Sequence, residues 1–147
     1  MIATAKTNLS LIGCSVWLLL VPSWCVAQER NPGIARGATE FARIYQRSGI
    51  VGLNTAIEEC WRKFKAKPKL ADAEFCFGLD YITSVHDKAF TKNLGAPDLQ
   101  SDATKIEKVQ SRVDGTLETL NLSQDAKRDT LTKWSSAADR AYAKWAK

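Results

Sequence analysis

Among the side chains that could do chemistry, one titrates near neutral pH: the single histidine, His86. General acid–base catalysis would need a nucleophile and an orienting acid within hydrogen-bond reach of it. Asp87 is adjacent in sequence but lies about 100° away around a helix, and Asp80 is also off the His86 face. His86 itself falls in an apolar stripe near Phe75 and Leu79. That position points to a packed core histidine, with a pH-sensitive role as the lesser alternative. Asp80 and Asp87 share one side of a helix, whereas Glu58 and Glu59 face different sides. Paired carboxylates can exchange protons or hold a metal. The commoner arrangement is a solvated acidic edge, or pairing with lysines across a bundle, and that is the expectation for Asp80 and Asp87. No catalytic residue, metal site or cofactor motif is assigned, and the chain is expected not to be an enzyme.

The cysteines say more. Of the four, Cys14 and Cys25 lie in a segment expected to be removed, which leaves Cys60 and Cys76. An even pair in an oxidising compartment defaults to a disulfide. Cys60 lies eight residues before Pro68 and Cys76 eight after; Ile57 and Leu79 lie eleven on each side, Trp61 and Phe75 seven. In an antiparallel helical hairpin, equal distance from the turn puts two residues at one level. The spacing therefore predicts a Cys60–Cys76 staple, worth roughly 3 kcal/mol in the chain-entropy model. The pair lacks the Cys-x-x-Cys spacing that activates thiols. One histidine also leaves zinc short of ligands.

The turn of that hairpin is strongly basic. Arg62, Lys63, Lys65, Lys67 and Lys69 place five cations in eight positions. Such a tip suits lipid phosphate, anionic polysaccharide or nucleic acid; the plainer alternative is a solvated turn that uses lysine for solubility. Trp61 and Phe64 sit at core spacing and are not expected to stack on bases. The C-terminal stretch mixes Trp134 and Trp145 with Lys127, Arg128, Lys133, Arg140, Lys144 and Lys147, as a helix on a membrane surface would. Asp125, Asp129 and Asp139 dilute that charge, and its alanines suit close helix packing. Asn121-Leu122-Ser123 fits the glycosylation pattern, which matters only in a eukaryotic secretory pathway.

The elements that must position these residues read as helices. From Gly37 onward apolar residues recur at three and four, and no run alternates as a strand would. The first helix is expected over about 38–47, with Phe41, Ile44 and Tyr45 on one face, followed by a break at Ser48, Gly49 and Gly52. A second carries Leu53, Ile57, Cys60, Trp61 and Phe64 and ends at Pro68. The third, over about 70–92, shows a stripe of Phe75, Cys76, Leu79, Ile82, Val85, Ala89 and Phe90. Asp98 or Ser101 would cap the fourth, whose seam is Leu99, Ala103, Ile106, Gln110, Val113, Leu117 and Leu120. Ser123 would cap the fifth, with Leu131, Trp134, Ala138, Ala141, Tyr142 and Trp145 inward. The fold class is all-α, a small up-and-down bundle of four to five helices with one disulfide-stapled helical hairpin.

The compartment comes from the first residues. Lys6 precedes an apolar run from Leu9 to Val21, Pro22 breaks it, and Cys25-Val26-Ala27 places small residues where a signal peptidase reads. The domain plan is thus a signal peptide over 1–27, a flexible lead-in over 28–36 and a helical domain over 37–147. The run is short of the roughly 20 apolar residues needed to span a membrane, and Gly13 and Pro22 interrupt it. An uncleaved anchor, or a lipid on Cys14 after Leu11-Ile12-Gly13, fits less well. Cleavage would leave 120 of the 147 residues and lower the net charge from +5 to +4, since Lys6 is lost and every acid is kept. No transmembrane helix is expected in that mature chain. A mild cationic excess favours solubility and anionic partners without naming one.

These features fit an exported, periplasmic or secreted, non-enzymatic binding or accessory module of the cell envelope. Its expected partners are an anionic lipid, a polysaccharide or another envelope protein, and export disfavours nucleic acid. An envelope stress chaperone or protein inhibitor, and a small enzyme using His86 with a carboxylate, are the alternatives.

Overall fold

In a computed structural model, residues 31–147 are described. The expected signal segment, with Cys14 and Cys25, lies outside the described residues. Four helices follow one another: α1 Pro32–Ala66, α2 Leu70–Asn93, α3 Ile106–Thr119 and α4 Gln124–Trp145. Two 3-10 turns, Pro97–Leu99 and Asp102–Thr104, link α2 to α3. The described residues contain no strand. The chain forms the expected all-α up-and-down bundle with its stapled hairpin.

α1 is two rods joined at a corner. Gly49 has φ +57° and ψ −154°, a left-handed backbone that glycine adopts without a Cβ penalty. At Gly52 a Cβ would lie 2.3 Å from that of Ser48, so the corner also needs its second glycine. The break expected at Ser48–Gly52 is where the chain turns. Residues 50–66 then run back along 32–48, so that Arg36 and Glu40 line the same groove as Lys63 and Glu59.

The first rod begins at Pro32, six residues before the expected start, so residues 32–36 of the expected lead-in over 28–36 are helical. Proline is well suited to the first helical position because its fixed φ is helical and no N–H partner is needed there. Gly33 and Ile34 are buried, and a Cβ on Gly33 would meet the Ala71 carbonyl and Glu74. Farther along, Gly37 and Gly78 face each other's helices: a Cβ on Gly37 would lie 2.6 Å from the Phe75 carbonyl, and one on Gly78 2.8 Å from that of Ile34. Two helices approach this closely only where both lack side chains.

α2 is the central rod, in contact with α1, α3 and α4. A helix packed against several others is buried over more than one narrow stripe. Accordingly Asp80, Thr83, Ser84, Asp87 and Thr91 are buried along with Cys76, Phe77, Leu79 and Ile82. This corrects the single apolar stripe: Val85 and Ala89 are only half-buried and Phe90 is exposed. α2 ends in a Schellman turn, with Ala96 N–H on the Thr91 carbonyl, Gly95 N–H on that of Lys92 and Gly95 at φ +69°.

α3 starts at Ile106, later than expected, and neither Asp98 nor Ser101 caps it through a side chain. The cause is Asp87, whose carboxylate accepts the Ser101 N–H and the Thr104 hydroxyl and pins the linker onto α2. The seam of α3 is Val109, Val113, Thr116 and Leu117, while Gln110 and Leu99 face solvent. Asn121, at φ +54°, closes α3 in the same way that Gly95 closes α2. Ser123 caps α4 as expected, accepting the Ala126 N–H at 3.3 Å. Trp134 and Ala138 are buried, and Trp134 packs on Phe77.

Candidate functional site

Cys60 and Cys76 are joined, with Cα atoms 5.6 Å apart. Ile57 and Leu79, symmetric about the same turn, are both in the core. The third symmetric pair separates. Phe75 lies under the Arg36 guanidinium at 5.7 Å, whereas the Trp61 indole N–H donates to Asp80 Oδ2 at 2.9 Å.

Asp80 is fully buried, which overturns the expected acidic edge. Arg112 reaches it with two parallel hydrogen bonds of 2.7 Å and donates a third, of 2.8 Å, to the Ala103 carbonyl. Asp80 and Asp87 do share one side of α2, but each is a structural anchor: Asp80 ties α2 to α1 and α3, and Asp87 ties it to the linker. No pairing with lysine is involved. Arg112 went unnoticed in the sequence because its partner lies 32 residues away. A buried Trp and a buried Asp on facing helices were the signal for a third polar group.

His86 sits in a cage of rings. Phe41, Tyr45, Trp145 and Tyr142 meet it edge-on, and Phe90 stacks at 6.3 Å. Its Nδ1 is 3.2 Å from the Tyr142 hydroxyl, and its buried Nε2 has no partner among the described residues. Burial among the rings pushes its pKa below the ordinary 6.5, against a smaller upward pull from the Asp87 charge. Asp87 faces away, onto Ser101 and Thr104, so it does not orient the imidazole. The cage is thus made by Phe41, Tyr45, Tyr142, Trp145 and Phe90 rather than by Phe75 and Leu79.

All five cations of the hairpin tip, Arg62, Lys63, Lys65, Lys67 and Lys69, are exposed. Arg62 and Lys63 share Glu59, at 2.7 and 3.3 Å, and together they hold its carboxyl down at about 2. Among the described residues no carboxylate lies in ion-pair range of Lys65, Lys67 or Lys69. Trp61 and Phe64 are buried, as their spacing implied. Beside the tip a groove of about 560 Å³ opens between the two rods of α1 and α2, floored by the disulfide, Phe64 and Leu79, with Arg36, Lys63 and Lys67 on its walls. His86 does not line it. The described residues hold no cluster of metal-binding side chains and no helix long and apolar enough to cross a membrane.

Comparison with protein-family models, with curated proteins and with solved structures finds no match to this chain.

Proposed function

We propose that the protein is an exported, non-enzymatic binding or accessory module of the cell envelope that contacts an anionic partner through the basic end of the α1–α2 hairpin. One observation carries this reading: Lys65, Lys67 and Lys69 lie together where α1 gives way to α2, exposed and without carboxylate partners among the described residues. Surface lysines are ordinarily interleaved with acids, and a local field of one sign attracts counter-charged ligands. The disulfide is compatible with an oxidising compartment, as the apolar run and small residues before Gln28 also suggest.

An enzyme built on His86 draws little support from this arrangement. Its Nδ1 is taken by the Tyr142 hydroxyl, and no carboxylate among the described residues reaches its ring nitrogens. The reading is checked by binding to phosphatidylglycerol vesicles and to dextran sulfate. Binding should weaken with added salt and be lost when Lys63, Lys65, Lys67 and Lys69 are all changed to Gln. Undiminished binding in that variant removes the tip assignment.

A further inference from the structure

We propose that the anionic partner is a lipid bilayer, on which the basic end of the bundle sits with Leu70 inserted among the headgroups. This rests on the anion-contact reading and narrows it to one kind of surface. Leu70 is the first residue of α2 and is 51% exposed, next to Lys69 and Pro68 at the crest of the hairpin. Ala66 and Ala71 beside it are exposed too. A soluble polyanion recognises the lysines and has no use for an apolar side chain among them. A bilayer surface uses both: phosphates meet the ammonium groups while the apolar residue enters the boundary with the acyl chains.

The path of the chain fits the same orientation. Gly33 packs beside Ala71 and Glu74, so α1 begins at the basic end of the bundle. The apolar run from Leu9 to Val21 precedes that point by about ten residues. The opposite end also exposes apolar side chains, Val51, Phe90, Leu94 and Leu99, and serves as the internal control.

The test compares vesicles of phosphatidylcholine alone, the same lipid mixed with phosphatidylglycerol, and immobilised dextran sulfate, using the chain from Gln28 onward. Changing Lys65, Lys67 and Lys69 to Gln should weaken binding to the mixed vesicles on the order of a hundredfold. Leu70→Ser should weaken it roughly tenfold while leaving retention on dextran sulfate unchanged. A Leu94→Ser/Leu99→Ser variant should bind as the parent does. Equal vesicle binding by Leu70→Ser and the parent overturns the bilayer assignment but leaves anion contact standing. Vesicle binding lost in Leu94→Ser/Leu99→Ser and kept in Leu70→Ser would put the other end on the lipid and overturn it as well. If the lysine variant binds all three surfaces like the parent, the anion-contact reading falls with it. Circular dichroism of each variant confirms that only folded protein is compared.

Discussion

At the scale of single residues, the two most consequential side chains are a buried carboxylate and a half-buried imidazole, each held in the fold for a different reason. Asp80 is accommodated in the interior because Arg112 and Trp61 satisfy both of its oxygens. Arg112 still touches solvent, at 28% exposure, so removing it leaves the carboxylate stranded but lets some water follow. Arg112→Met should therefore cost about 3 kcal/mol in denaturant unfolding. Adding Asp80→Leu to that variant should recover part of the loss, since two apolar groups need no partner; a further loss would show that the pair was not the cause. His86 is the opposite case, a titratable group held neutral. Its folded pKa lies below the unfolded value, so the unfolded chain takes up the proton first and stability falls as the pH drops below about 6.5. Thermal unfolding from neutral to mildly acidic pH should show that decline, and His86→Phe, which fills the cage without a titratable group, should flatten it. Neither Asp80 nor the ring cage was legible in the sequence. A helical wheel describes one segment, whereas Asp80 and His86 owe their surroundings to residues 32 and 56 positions away.

At the scale of elements, the glycines divide into two kinds with different costs. Gly49 faces empty space, and its requirement is only the positive φ. Gly49→Ala should cost about 2 kcal/mol, because a positive φ combined with ψ −154° is a backbone region that residues with a Cβ essentially do not adopt. Gly37 has an ordinary helical backbone, but a Cβ added there would lie 2.6 Å from the Phe75 carbonyl oxygen and 2.7 Å from the Leu79 amide nitrogen of α2. Gly37→Ala must push two backbones apart and should cost more, roughly 3 kcal/mol, with Phe75 and Leu79 displaced. Chemical denaturation of the two variants gives the order, and a smaller loss for Gly37→Ala would contradict the close crossing. Much at this scale could be read in advance. The Ser48–Gly52 break, the turn at Pro68 and the Ser123 cap are local signals. The start of α1 at Pro32 was missed because Asn31-Pro32-Gly33 looks like a loop until Gly33 is seen to be buried against α2. The start of α3 was missed because the Asp87 carboxylate, not a cap, decides where the linker ends.

At the scale of the whole molecule, the bundle has an order that the pattern of helices alone did not specify. α2 lies at the centre, stapled to the second rod of α1, crossed closely by the first and covered by α3 and α4. The fold class was legible because helical periodicity and the symmetric cysteine spacing are properties of neighbouring residues. The polar interior was not, because burying Asp80 and Asp87 depends on which helix is surrounded.

The corner at Gly49 splits α1 into two rods and so makes the number of rods odd. A chain that traverses a bundle an odd number of times leaves at the end opposite its start. Pro32 lies beside the lysine turn, while Trp145 packs near Phe41, Tyr45 and His86 toward the far end. The start of α1 and the end of α4 therefore lie at opposite poles of the bundle. A label or tether fixed just beyond Trp145 holds the molecule with its cations pointing outward.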